Sequence, residues 1–394
     1  MSGRRQSWAR ASTLLIAWGA SAVLPCVVRA ETTAANVAVA RGVEWLLEQQ
    51  EADGTWRSAK YAQLQAGPGA TALAVAALTE VMTDAPATAA RQAEIRQAIR
   101  NGLSFLTSHR APAGYVRSPD GANEYPTYAT ALTLLTLDRL PPTERKPYAD
   151  AMRQMRAYLA AAQVRSPLPN KLATASDVGG WGLVGGEPND LSSFRTANVS
   201  TTRMALEALA PVAADHAETL QRARQFLIRR QNADGGLAFL SDPLDQLNKA
   251  GALDPANIGE PFVARSYGTT TADGLLALRA AGVTANDQRV VAAVEWLDAH
   301  PQVDAVPGFP SDEVSVAASQ GLFYYYAAAL ARAMEAFPGA PFAARAPDLA
   351  AELVARQRPD GSWANTIPTM REDDPLTATC LALEALATLR DLKK

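Results

Sequence analysis

The fold is decided by a short segment that returns along the chain and is first written Gln49-Gln50-Glu51-Ala52-Asp53-Gly54-Thr55-Trp56. Its relatives are Arg230-Gln231-Asn232-Ala233-Asp234-Gly235-Gly236 and Arg356-Gln357-Arg358-Pro359-Asp360-Gly361-Ser362-Trp363. We call these three stretches the Asp-Gly segments. Each follows a stretch in which apolar residues, such as Leu46 and Leu47, recur at helical spacing. Because Asp-Gly supplies a turn that accepts left-handed backbone geometry, each segment predicts the end of a helix.

Two side chains of each segment predict how that helix end is held. The glutamine before the turn can hydrogen-bond free backbone groups at the helix end. The tryptophan after the turn is expected to fold back as an apolar lid over the next element. We assign this role to Trp56, Trp363 and Trp181, the last of which stands in a degenerate copy, Gly180-Trp181-Gly182.

A second, more apolar helix follows each segment and opens with threonine. Such helices are predicted at Thr71 and Thr379, with degenerate copies at Thr130, Thr202 and Thr271. In all five a leucine stands seven residues after the threonine, which places the five helices in one register. A sixth apolar helix, without the threonine, is predicted over 321–330. The threonine suits an N-terminal cap or a position in the first turn.

Six such helix pairs predict an all-α protein, a single (α/α)6 toroid with six inner and six outer helices. Each pair can hide its apolar face only against its neighbours, so a closed ring buries every pair. An open helical solenoid is the alternative. Closure requires the inner helices that contain Thr71 and Thr379 to touch.

Composition narrows the class of protein. The 394 residues are 48% hydrophobic and 20% charged, with a net charge of −3, which excludes a disordered tail, a polybasic nucleic-acid binder and a polytopic membrane protein. Two cysteines and three histidines are too few for a disulfide scaffold or a histidine-rich metal centre. We therefore expect no metal and no cofactor.

Residues 1–30 are predicted to be a signal peptide, and residues 31–394 the toroid. Arg4, Arg5 and Arg10 precede an uncharged run over 11–28, and Val28-Arg29-Ala30 suits cleavage before Glu31. We expect a periplasmic or secreted protein without a stable membrane span after cleavage, exported by the general or the twin-arginine route. Cleavage would leave Cys380 as the one remaining cysteine.

The Gln-x-x-Asp-Gly-x-Trp pattern resembles the QW-type repeats of the squalene-hopene cyclase and protein prenyltransferase superfamily. The resemblance covers nearly all of residues 36–390. The stretch Ser266-Tyr267-Gly268-Thr269-Thr270-Thr271-Ala272-Asp273-Gly274, with Tyr324-Tyr325-Tyr326 further on, is similar to exported bacterial proteins with prenyltransferase/squalene-oxidase repeats. The resemblance implies the α/α toroid and a place in the terpenoid cyclase superfamily, but no particular reaction.

Cyclases of this superfamily protonate an alkene with an Asp-x-Asp-Asp motif, and this chain has none. The nearest substitute is Glu372-Asp373-Asp374, just before the last inner helix, where clustered carboxylates could keep one acid protonated. Asp373 and Asp374 are therefore the candidate catalytic acids, with a solvated loop cluster as the alternative. Aromatic residues make up only 7%, and about two of the three tyrosines Tyr324, Tyr325 and Tyr326 are expected to reach the lumen.

Zinc-dependent prenyl transfer is disfavoured. The resemblance implies zinc ligands of the Asp, Cys and His types, but Cys380 has no histidine after it. A buried small hydrophobic role suits Cys380 better.

A glycan-active ring is a third possibility. Its carboxylates would be Asp273 and Glu207, with Arg203, Arg265 and Tyr267 as substrate clamps. Alternatively, Asp273 bonds a neighbouring helix, and Arg203 pairs with Glu207, which is four residues away on the same helix.

Two long connections, over 165–196 and 241–265, should emerge at one end of the ring and form a binding surface. Solvated loops without any site are the alternative. We predict an exported repeat toroid that binds an apolar or elongated ligand, an isoprenoid, a lipid or a glycan, in its funnel, with catalysis undecided. Acid-catalysed cyclisation or isomerisation and glycan activity are the enzymatic alternatives. The candidate ligand-binding residues are Arg195, Arg203, Arg265, Tyr267, Asp273 and Tyr325.

Overall fold

A computed structural model describes residues 23–82, 88–121, 125–167, 173–183, 196–240, 248–253, 263–368 and 370–392. Most of the signal-peptide prediction, together with Arg195 and large parts of the two long connections, lies outside these ranges. In them nearly all of the regular secondary structure is helical, and the all-α prediction is confirmed. A two-residue antiparallel ribbon pairs β1 (Ala252–Leu253) with β2 (Val263–Ala264).

Six helices line the inside of a ring. They are α2 (Pro68–Met82), α4 (Pro126–Arg139), α7 (Val199–Leu209), α9 (Gly268–Ala280), α12 (Phe323–Ala336) and α14 (Pro375–Asp391). Each packs against the next in this order, and α14 packs against α2. The helices that contain Thr71 and Thr379 therefore touch, and the closed toroid is confirmed over the open solenoid.

Six outer helices cover the seams of the inner ring. They are α1 (Val23–Glu48), α3 (Ala89–Ser108), α6 (Ala149–Ala162), α8 (Ala217–Arg230), α10 (Gln288–Ala299) and α13 (Ala346–Ala355). The first of them, α1, contacts both α14 and α2 and also packs against α13, so the outer layer closes where the inner layer does. Two short helices, α5 (Pro142–Arg145) and α11 (Glu313–Gln320), lie in connections.

The threonine of the inner helices has a role that differs from capping. Its hydroxyl oxygen accepts the backbone N–H of the residue that ends the preceding turn, as Thr71 accepts from Trp56 at 3.0 Å. Thr130, Thr202, Thr271 and Thr379 repeat this bond at 2.9 to 3.1 Å, with donors Val116, Trp181, Leu237 and Trp363. Of the two predicted positions, the structure shows the one at the first turn, because the caps stand earlier, as Asn198 does for α7 and Asp374 for α14. The threonine ties the loop to the inner helix.

The glutamine and tryptophan of the segments act largely as predicted. The indole nitrogens of Trp56, Trp181 and Trp363 donate to carbonyl oxygens of the outer helix before them at 2.6 to 2.8 Å, and all three rings are fully buried. Gln50 Nε2 donates both to Gly54 O and to Ala98 O of the next outer helix, each at 3.0 Å. The Gln50 side chain thus closes its own turn and also binds the outer helix of the next helix pair.

The described helices include none with the length and apolar character that a membrane crossing needs.

Candidate ligand-binding funnel

A cavity of about 330 Å³ opens at the end of the ring where the inner helices begin, and we call it the funnel. All six inner helices contribute to its wall, each through residues of its first two turns. Small residues such as Gly69, Ala70 and Ser200 leave the space. The wall is mainly apolar and includes Leu64, Leu73, Tyr128, Met204, Phe239, Tyr267, Leu322, Tyr325, Leu376 and Leu381.

One hydroxyl connects the funnel to buried charge. Tyr325 OH donates to Asp273 Oδ2 at 3.0 Å, and Asp273 Oδ1 lies 2.7 Å from Arg203 Nε. Asp273 is fully buried. Burial raises the pKa of Asp273, and the Arg203 guanidinium and the Tyr325 hydroxyl oppose that rise. Asp273 therefore holds Tyr325 in the wall without lining the funnel itself.

The charges continue down the lumen as an axial cluster of Asp273, Arg203, Glu207, Arg332 and Glu384. Arg203 and Arg332 each lie 3.1 Å from the same oxygen of Glu207, and Arg332 reaches Glu384 at 3.5 Å. Because α7 and α12 are not neighbours in the ring, the Arg332–Glu207 pair crosses the lumen. Burial would raise the pKa of Glu207, but Arg332 and Arg203 lower it. Paired charge thus fills the ring below the funnel.

A buried glutamate holds the first turn of the inner helix α12. Glu372 accepts the backbone N–H groups of Tyr324 and Tyr325 at 2.9 and 2.8 Å, and also the side-chain amide of Asn365 at 2.8 Å. Burial raises the pKa of Glu372 to about 8 against these hydrogen bonds. Glu372 lines the funnel with its oxygens committed to the first turn of α12.

The rim of the funnel carries a cation between two aromatic rings. The Arg371 guanidinium lies 5.4 Å from the ring centroid of Tyr61 and 5.3 Å from that of Tyr125. Arg371 and Tyr125 both line the funnel, and so does Lys249. Arginine over tyrosine faces is an attractive arrangement that orients the guanidinium.

Asp373 and Asp374, the two acids predicted to be catalytic, have different hydrogen-bond partners in the structure. Asp373 accepts from Lys60 and from the Tyr61 hydroxyl. Burial opposes ionisation of Asp373, but these partners lower its pKa overall. Asp374 caps α14 by accepting the Leu376 N–H at 3.1 Å. Neither of the two lines the funnel.

The predicted ligand-binding residues are only partly brought together. Tyr267 and Tyr325 line the funnel, whereas Arg203 and Asp273 lie in the axial cluster. Arg265 is held at the ribbon, where its Nε donates to Ala252 O at 3.0 Å. Of the three consecutive tyrosines only Tyr325 lines the funnel, because successive residues of a helix point about 100° apart.

Sequence reasoning missed Glu372 and Arg371 as funnel residues. A signal was present for Glu372, since it belongs to the acidic cluster that contains Asp373 and Asp374. Arg371 stands directly before that cluster, but its position against Tyr61 and Tyr125 depends on residues far away in the chain.

Within the described ranges, no three side chains of the His, Cys, Asp and Glu types are grouped so that they could hold a metal ion. Cys380 is buried in α14, and burial raises its thiol pKa well above the usual value.

Comparisons of the sequence with models of protein families and with curated proteins find no match. Solved structures do match in fold. A protein from Actinoplanes has a TM-score of 0.58 at 20% identity, with 91% of this chain and 100% of that chain covered. The type II terpene cyclase MstE from Scytonema has a TM-score of 0.54 at 16% identity, covering 91% and 99%.

A glycoside hydrolase family 76 mannosidase from Bacteroides thetaiotaomicron has a TM-score of 0.54 at 11% identity, covering 91% of this chain and 100% of that chain. Another structure of the Scytonema cyclase holds geranylgeranyl dihydroxybenzoate as its substrate. At these identities the matches show the shared fold, and this chain is an α/α toroid similar to terpene cyclases and glycan hydrolases in architecture.

Proposed function

We propose that the protein binds an elongated apolar ligand, of the isoprenoid or a similar lipid class, in the funnel. The observation that carries this proposal is the 330 Å³ cavity whose mainly apolar wall is built by all six inner helices. Ligand sites for small molecules typically have volumes of about 300 to 1,000 Å³ and apolar walls with few polar groups. The isoprenoid held by a terpene cyclase of the same fold supports the choice of class.

We further propose that the chain is an exported member of the prenyltransferase and squalene-cyclase repeat proteins. The repeated glutamine, threonine and tryptophan bonds support membership, because they occur at the places where the QW-type pattern stands in the sequence. The arginines and the uncharged run of residues 1–30 support export.

A thermal-shift experiment with a blocked funnel tests ligand binding. Geranylgeraniol at one hundred times its dissociation constant should stabilise the protein by about 2.7 kcal/mol. Ala70→Phe places a ring in the funnel and should abolish this shift. Ala90→Phe, on the exposed side of α3, is the matched control and should keep it.

Mass spectrometry of whatever lipid copurifies from the native host identifies the ligand. Stabilisation by oligosaccharides alone would overturn the apolar class in favour of the glycan alternative. The ion pairs of Asp273 and Glu207 give that alternative less support, because both carboxylates are committed to arginines.

Acid-catalysed isomerisation or cyclisation of the bound isoprenoid is the second candidate. Its acid would be Asp374, which stands outside the wall itself but only two residues from the wall residues Glu372 and Leu376. Asp374 Oδ2 is buried and has no hydrogen-bond partner in the described part of the chain, so this oxygen is uncommitted while Oδ1 caps α14. Asp374→Asn keeps a side chain that can cap α14, so it should abolish turnover without changing the melting temperature. A product of unchanged mass and altered retention, formed by the natural chain and not by this variant, is the expected result. Equal turnover by the two proteins would remove Asp374 from the reaction.

A further inference from the structure

Backbone strain is concentrated at the rim of the funnel. Among the described residues other than glycine, only Tyr125, at φ 44°, and Arg371, at φ 63°, have positive φ. Both line the funnel, and the side chain of one lies over the ring of the other. Left-handed geometry at residues that carry a Cβ is unfavourable and persists where the surroundings impose it, often at ligand sites.

The Arg371 guanidinium belongs to a half-buried residue and has no counter-ion among the described residues. Its Nη1 is buried and has no hydrogen-bond partner among the residues described. No salt bridge joins Arg371 to any acid in those ranges, although Glu372 and Asp373 follow it directly. Glu372 is committed to α12, and Asp373 is committed to Lys60 and Tyr61. The nearest carboxylates are thus occupied, while the guanidinium keeps an unused donor.

Two further features add positive charge at this rim. Lys249 lines the same funnel and forms no ion pair with a described acid. The six inner helices all begin at this end, and the N-terminus of a helix carries a partial positive charge. Of the carboxylates that follow Arg371, Asp373 pairs with Lys60, Glu372 accepts from the first turn of α12, and Asp374 caps α14.

We infer that the rim binds the anionic group, a carboxylate or a phosphate, of a ligand whose apolar chain fills the funnel. This inference rests on the proposed function and narrows its ligand class from apolar molecules to acidic amphiphiles. Arg371 Nη1 would donate to the anion, and Tyr61 and Tyr125 hold the guanidinium in place for it. Hydrogen bonds to charged groups are stronger than neutral ones, so the acid should bind about ten- to a hundredfold more tightly than the alcohol of the same chain.

Calorimetric titration of the full-length protein with matched probes tests the inference. The probes are geranylgeraniol, geranylgeranoic acid, geranylgeranyl monophosphate and inorganic phosphate alone. We expect the acid or the monophosphate to bind at least about tenfold more tightly than the alcohol, and inorganic phosphate not to compete. Which of the two anionic probes binds more tightly identifies the head group.

Two variants test whether Arg371 is the source of the preference for the acid over the alcohol. Arg371→Gln should reduce the ratio of acid to alcohol affinity to near one while leaving the affinity for the alcohol unchanged. Arg153→Gln, at an exposed position of α6, is the matched control and should keep the natural ratio.

Failure of the inference and failure of the proposed function give different binding results. Equal affinity of the natural protein for acid and alcohol overturns the anionic rim and leaves the apolar funnel standing, and this comparison needs no variant to fold. No binding of any probe overturns the proposed function together with the inference. Inorganic phosphate that binds as tightly as the monophosphate overturns the link between the anion and the funnel.

Discussion

Gln357 Nε2 donates to Ala38 O at 2.8 Å, joining residues 319 positions apart in the chain. The same side chain closes its own turn through Gly361 O, also at 2.8 Å. Gln50 and Gln231 make the equivalent pair of bonds between helix pairs that are consecutive in sequence. The last helix pair therefore contacts the first through the same glutamine hydrogen bonds that join helix pairs consecutive in sequence. The ring closes with the contact that it uses elsewhere.

Removal of the Gln357 side chain should weaken the seam of the ring. In Gln357→Ala two buried carbonyl oxygens lose their donor, so the free energy of unfolding should fall by about 1 to 3 kcal/mol in urea titrations. Gln49→Ala is the control, because Gln49 is exposed and makes only a 3.4 Å contact within its own helix. Equal losses in the two variants would show that the seam bond contributes nothing of its own.

The axial cluster should respond to single and double substitutions differently. Arg203→Met leaves the buried Asp273 without its cation and should lower the free energy of unfolding by about 3 to 5 kcal/mol at pH 8. Adding Asp273→Asn removes the uncompensated carboxylate and should recover a large part of this loss. A double-mutant cycle measures the coupling, and strictly additive effects would contradict the pairing.

Glu372 predicts a pH dependence with a definite sign. Its pKa in the folded protein is raised to about 8, so the folded state binds a proton that the unfolded state releases near pH 4.5. The contribution of this proton to the free energy of unfolding is fully present below about pH 4.5. It is lost as the pH rises towards 8, and the free energy of unfolding falls by up to about 1.4 kcal/mol per pH unit. Urea unfolding at pH 5 to 8 should therefore show a steeper loss of stability in the natural protein than in Glu372→Gln. Glu48→Gln, at an exposed position, should keep the natural slope, and identical slopes for all three proteins would refute the assignment.

The strain at Arg371 can be measured by comparing two replacements. Because glycine accepts φ 63° without a Cβ clash, Arg371→Gly should be more stable than Arg371→Ala by about 1 kcal/mol. The order of stability should reverse at Arg96, an exposed position inside α3. There the alanine variant should be more stable than the glycine variant by about 1 kcal/mol, because alanine has the higher helix propensity. Thermal unfolding of the four variants checks both signs. An alanine advantage at both positions would mean that the left-handed geometry is absent in solution.

Several parts of the site were accessible from sequence because they depend on local pattern. The Asp-Gly segments predicted helix ends, and the seven-residue spacing from threonine to leucine predicted inner helices in one register. Tyr267 and Tyr325 line the funnel because both stand at the beginning of an inner helix, and their contact with a ligand stays a prediction. The sequence also predicts a role for the acidic cluster before α14, and the structure places Glu372 of that cluster in the wall and Asp373 and Asp374 outside it.

The sequence by itself determined the number of helix pairs and their order around the ring. Those features follow from helix periodicity and turn chemistry, which act over a few neighbouring residues. Only the tertiary structure decided that Arg203 joins Asp273, that Glu372 holds α12 and that Arg371 stands between two tyrosines. Each of these contacts joins residues at least 47 positions apart, and small differences in helix rotation decide which side chains meet across the ring.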